Sequence, residues 1–231
     1  MLEFKKQSFR RFYDQDSAAI FSNLEFDQCD FQSSAISITL DPKRRSTIRN
    51  VRLINCELRG CTLWPAVLQG VTIDGLKTNG LFQAWGAVFQ QVVLKGKIER
   101  VMLSPVVAPG QATPEQQRAF DAANEEFYAT VDWALDISQA EFVECDLRGG
   151  IPARLIRRDP ETQVIITRAR ALNGAWRKLD LTGTHWGVSL ENLLKGGEQE
   201  KVFVAPKRAK EYKALLRGLQ LLREAGVAEP S

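Results

Sequence analysis

Cut into fives from residue 51, the chain reads VRLIN, CELRG, CTLWP, AVLQG, VTIDG and LKTNG through residue 80, with the first and third columns apolar in nearly every row. In the first five rows all ten of those positions are apolar, an outcome the 44% apolar composition would give by chance roughly three times in ten thousand. A period of five is neither the 3.6 of a helix nor the 2 of a long strand, but columns two apart fall on one side of an extended segment. Each row therefore predicts a very short strand. The fifth column, Asn55, Gly60, Pro65, Gly70, Gly75 and Gly80, holds residue types that permit or pre-set the angles of a tight bend, so each row ends in a corner. A chain that runs inward, turns and repeats must coil, and successive coils pair as parallel strands about 4.8 Å apart, which makes a β-solenoid.

The register recurs along the chain. AIFSN, LEFDQ and CDFQS centre on Phe21, Phe26 and Phe31, STIRN leads into the main run, and AVFQQ and VVLKG resume the beat after a ragged LFQAW that gains one residue. LDISQ, AEFVE and CDLRG follow, and a less regular AWRKL precedes LDLTG and THWGV. The predicted rows span 19–38, 46–99, 135–149 and 174–188. They resemble the pentapeptide-repeat family, found mainly in bacteria, whose pattern is written A(D/N)LXX. The resemblance implies a mainly β chain wound as a right-handed, four-sided parallel β-helix with four pentapeptides per coil. The central residue and the one two before it then point inward. Leu53, Leu58, Leu63, Leu68 and Ile73 become central, and Val51, Cys56, Cys61, Ala66 and Val71 form the second inward column. Stacking falls at a separation of twenty, placing Leu53 under Ile73 and Val51 under Val71.

The rest of one domain, 1–231, interrupts or closes the frame. TLDPKRR, 39–45, reads as a charged surface loop. An insert at 104–134 carries a helix from Thr113, its N-cap, with Pro114 first in the helix and an apolar stripe of Phe120, Ala123, Phe127, Val131 and Ala134 that either packs on the solenoid wall or binds a partner. Residues 151–172 read as a β-hairpin about Asp159 and Pro160. A strand and a helix occupy 200–226, the helix bearing Tyr212, Leu215, Leu216, Leu219 and Leu222 on one face. That face either caps the solenoid or joins two copies as a homodimer, a contact familiar in the resembled family.

Charge changes the picture only locally. The net +3 is too small to demand nucleic acid, yet residues 1–112 sum to +4, 113–150 to −7 and 151–231 to +6. MLEFKKQSFRRFYDQD is charged throughout and no run approaches the length of a membrane span, so a soluble, cytoplasmic protein is expected.

Candidate chemistry is sparse. Cys56 and Cys61 have C-x4-C spacing, at the loose edge of zinc-ligand patterns, but they share the inward column with Cys29 and Cys145, where a thiol serves as a small hydrophobe. His185, the only histidine, falls in an outward column. No nucleotide-binding, zincin or serine-hydrolase motif is present, so no catalytic residue, metal or cofactor is assigned and no enzyme is expected. A pocket holding His185 beside a carboxylate or a cysteine would be a warning against that expectation. The remaining binding candidates are the basic cluster Arg154, Arg157 and Arg158, the outward Trp64, which the inserted helix or a partner would cover, and Tyr212. Trp176 and Trp186 fall in central columns.

The expected function is a non-enzymatic rigid scaffold for a protein partner. The resembled family's gyrase-binding DNA mimics use an acidic, uninterrupted solenoid, whereas this chain is net basic and interrupted. A DNA mimic or a toxin-neutralising or resistance protein is one alternative, and nucleic-acid binding through the basic C-terminal part is the other.

Overall fold

The computed structural model describes residues 1–230. Fifteen strands form one parallel sheet that curls on itself in solenoid fashion, and two more form a small antiparallel sheet. The chain is mainly β with four α-helices among the described residues. No helix is long and apolar enough to cross a membrane.

The beat of five sets the register. Thr72 pairs with Arg52, Ile73 with Leu53 and Leu76 with Cys56, each twenty residues apart. Above them the separation is 21, as Leu68 with Phe89 and Ile73 with Leu94 show, because one residue is gained at the ragged LFQAW row. Below them it is 27, as in Phe26 with Leu53 and Ile36 with Leu63, which is twenty plus the seven residues of the 39–45 loop. Interruptions therefore leave as loops, and the inward columns stay aligned. Cys29, Val51, Cys56, Ala66 and Val71 are each at most 3% exposed. The column thiols also tie levels together: Cys29 donates to the Phe4 carbonyl at 3.4 Å and Cys56 to that of Phe26 at 3.2 Å. Cys61 and Cys145 are half-buried and all four cysteines are free, so the expectation of four sealed thiols holds for two of them.

The frame begins earlier than the sequence pattern suggested. β1 (Leu2–Lys5), β2 (Ser8–Arg10) and β3 (Tyr13–Gln15) form a further level beneath β4 (Ile20–Asp27) and its successors, with Phe4 on Phe26 and Phe9 on Phe31. Those aromatic pairs stack with centroids 5.1 Å apart. Left-handed corners at Lys6, Arg11 and Asp16 keep the five-residue spacing without a single glycine. Polar corners and the charged SFRRF segment hid the level from a reading based on glycine and leucine.

Two other predicted spans need correction. Residues 174–188 are not solenoid rows: Ala175–Lys178 is a 3-10 turn and an α-helix spans Trp186–Lys195. Trp176 and Trp186 are buried in a separate core with Leu190, Leu193 and Phe203. Residues 151–172 are not a hairpin either. Ile156–Arg157 adds to the parallel sheet beside Leu135–Asp136, while Gln163–Thr167 pairs antiparallel with Glu200–Val204, far away in sequence. Asp159 does make the expected bend, accepting from the Glu161 amide and the Thr162 hydroxyl, but the chain leaves that bend into a different sheet.

The insert helix α1 spans Pro114–Tyr128, with Thr113 and Gln116 forming a reciprocal capping box. It ends before Val131 and Ala134, and its buried side is Phe120, Asn124 and Tyr128 instead of the fully apolar stripe expected. Arg45 explains the polar member. Expected as solvated loop, it is buried, lies 4.6 Å over the Phe120 ring and donates to Asn124 Oδ1 at 2.5 Å. Burial pulls its guanidinium down to about 10. Tyr128 completes the dock by accepting from the Phe89 amide at 3.2 Å.

The C-terminal lobe consists of the antiparallel pair, α2 (Arg168–Leu172), α3 (Trp186–Lys195) and α4 (Tyr212–Glu224). It covers the last level of the parallel sheet. Val202 and Val204 join the solenoid core, and Leu215, Leu219 and Leu222 bury themselves in the lobe's own core. Much of the apolar face of the last helix is thereby buried within one chain, while Tyr212 and Leu216 are only partly buried.

Candidate functional site

The lobe is sewn to the strand Leu135–Leu147 at two points. Gln163 Nε2 donates to the Ile137 carbonyl at 3.0 Å, and the Arg208 amide donates to that of Phe142 at 2.9 Å. Past Phe142 the two part. Residues 143–147 pair with Arg100–Leu103 on one side, and among the described residues no strand pairs with their other edge. The gap between that edge and the lobe is a cleft of about 1190 Å³.

Its far wall is held by Trp186, whose Nε1 donates to the Leu215 carbonyl at 2.9 Å and whose ring stacks on Phe203 at 5.1 Å. Gly218 lets the last helix come that close, since a Cβ there would stand 2.5 Å from the indole. A rigid wall thus presents His185, Glu198, Lys201 and Arg208 toward Glu144, Cys145 and Asp146 on the strand. Glu198 leans over Gly149, whose φ of +90° is a conformation that favours glycine.

The cleft brings together residues that sequence spacing kept apart. His185 shares it with a thiol and four carboxylates, Glu144, Asp146, Glu198 and Glu211, the arrangement that warns against the non-enzymatic expectation. Among the described residues, however, no hydrogen bond joins the imidazole to Cys145 or to a carboxylate; the ring lies 4.3 Å from that of Trp186. Burial raises the Cys145 thiol, with Asp146 and Glu144 adding to the effect, so it resists becoming a thiolate. The cleft walls hold His185 below its ordinary range and Glu198 above its own, in both cases chiefly by desolvation. Arg148 pairs with Asp146 at 2.6 Å, but Glu198, Lys201 and Arg208 have no ion-pair partner among the described residues. The arrangement suits recognition of a charged ligand better than activation of a nucleophile.

The residues singled out from sequence lie elsewhere. Arg154 is exposed, Arg157 sits 4.0 Å over Trp133, and Arg158 is half-buried against Glu229 and the Ile156 carbonyl. The three form no open phosphate-binding face. Trp64 packs with Val107 and Phe120 under the inserted segment, and Tyr212 packs on the lobe core. Lys201, Arg208 and Glu198 carried no local signal that separated them from ordinary surface charge. Only the path of the lobe across the last strand makes them a group. No protein-family model matches the chain, and no curated protein or solved structure matches it either.

Proposed function

We propose that the chain is a non-enzymatic interaction protein of the pentapeptide-repeat kind: a closed, right-handed, four-sided β-helix serving as a rigid frame, with the cleft between its last level and the C-terminal lobe receiving a segment of a protein partner. The register of twenty and the left-handed corners at five-residue intervals support the winding. The observation that carries the binding reading is the open strand edge at 143–147 on the cleft floor. An extended peptide satisfies such an edge by strand addition, with backbone bonds supplying affinity and flanking pockets supplying specificity. Lys201 and Arg208 on one wall and Glu198 and Asp146 around it would select a segment bearing both signs of charge. Dispersal of Arg154, Arg157 and Arg158 into separate contacts weighs against the nucleic-acid alternative.

Capture from lysate with wild-type protein and with the Lys201→Glu/Arg208→Glu variant tests the reading, each run with and without nuclease. The expected result is a protein retained by the wild type, insensitive to nuclease and reduced at least tenfold on the variant. Recovery of nucleic acid alone, or equal retention by the variant, would overturn it.

A further inference from the structure

The two ends of the parallel sheet are finished differently. At the C-terminal end, Ile156–Arg157 and the lobe cover the last level, and Val202 and Val204 close the core. At the N-terminal end, among the described residues, nothing does. Among them β1, β2 and β3 each pair with one neighbour only, and the Ile20–Ser22 part of β4 pairs only with Thr47–Arg49 above it. Large apolar side chains gather on this rim: Leu2, Tyr13 and Ile20 are each at least 60% exposed and Phe12 is 46% exposed. Behind them the stacked columns Phe4–Phe26 and Phe9–Phe31 stop in mid-stack, with Phe4 and Phe9 half-buried, at the mouth of an apolar interior of about 660 Å³.

We infer that the protein forms a twofold, head-to-head dimer through this edge, β1 of one copy pairing antiparallel with β1 of the other about Phe4. The occupant follows from three features. A surface of unpaired backbone edges around an aromatic hollow needs a partner with the same outline, and the same edge of a second copy supplies it. Stacking onto the other end of a second copy, which would build filaments, is blocked by the lobe, so only a self-complementary contact remains and the assembly closes at two. Charge is compatible: antiparallel pairing about Phe4 sets Glu3, which has no ion pair within its own chain among the described residues, opposite the partner's Lys5, although Lys5 also lies 3.0 Å from Asp27 within each chain. On the four-sided winding proposed above, on which this clause alone rests, the same axis lays β2 of each copy over Ile20–Ser22 of the other.

Light scattering coupled to gel filtration reads the outcome directly. Wild-type protein should show twice the 26.0 kDa of one chain. Leu2→Lys/Ile20→Lys, at positions 60% and 63% exposed, should dissociate it at least tenfold more readily with an unchanged circular dichroism spectrum. Val188→Lys, 65% exposed on α3, should leave it intact. A Glu3→Cys/Lys5→Cys variant should oxidise to a covalent dimer in the wild-type background of four cysteines, which by itself should not. A monomer up to about 100 μM, a dimer that survives Leu2→Lys/Ile20→Lys, a species larger than two chains, or no cross-link in the double cysteine variant would each overturn the inference. None of these results touches the cleft, whose test is partner capture, so the two readings fail separately.

Discussion

Corner residues carry much of the chain's local specification. Asn23, Gln28, Ser33, Asn50 and Asn55 all hold φ between 49° and 57°, a region that disfavours every residue with a Cβ. Asn is the mildest choice there, and Gln is not. Gln28→Gly should therefore stabilise the fold by about 0.5–1 kcal/mol, read as a higher urea midpoint with unchanged slope. At Gly75, by contrast, φ is +75° and an added Cβ would stand 2.6 Å from Asn55 Oδ1 directly below, so glycine there answers to packing as well as to angle. The two corner types look alike in sequence, and the neighbour below separates them.

At the scale of elements, the inserted helix shows how a polar pair can replace an apolar stripe. The helix, its N-cap and its side of attachment were legible from Thr113, Pro114 and Phe120. The buried Asn124 was not, because the residue that makes it necessary, Arg45, lies 79 positions away in a loop that reads as solvated. Asn124→Ala would leave a buried guanidinium whose Nε already lacks a partner with fewer bonds still. The expected loss is about 2 kcal/mol, seen by denaturant titration, and Asn124→Asp, which keeps an acceptor, should recover most of it. The 151–172 segment failed as a hairpin for a related reason. A turn signal at Asp159 fixes a change of direction but not which strand is met afterwards, and here the partner of Gln163–Thr167 is the distant Glu200–Val204.

For the whole molecule, the junction between frame and lobe sets a pH dependence with two opposed arms. Unfolded His185 takes up a proton near its ordinary 6.5 while the folded ring resists it, so stability falls as pH drops from 6.5 through the depressed folded value. Folded Glu198 keeps its proton above the ordinary 4.5, so its contribution is complete below 4.5 and is lost as pH rises through the raised folded value. Charge on Glu198 is then a cost at neutral pH. Glu198→Gln should raise Tm at pH 7–8 and give no advantage near pH 4, and scanning calorimetry across that range would show the difference shrinking as pH falls. An equal shift at every pH would remove ionisation as the cause.

What the sequence determined by itself is the repeating frame, because its information is local and periodic: inward columns two apart, corners five apart, and a stacking distance of twenty that loops lengthen without breaking. Cys56 and Val51 could be placed inside it from their column alone. Tertiary structure decided everything that depends on where a non-repeating segment travels. It put Trp186 into a second core, turned the apolar face of the last helix inward, left the edge of 143–147 open opposite Lys201 and Arg208, and left the first level uncovered. Periodicity specifies a neighbour at fixed spacing, whereas a cleft or an exposed edge depends on surfaces that meet, or fail to meet, across distances with no spacing rule.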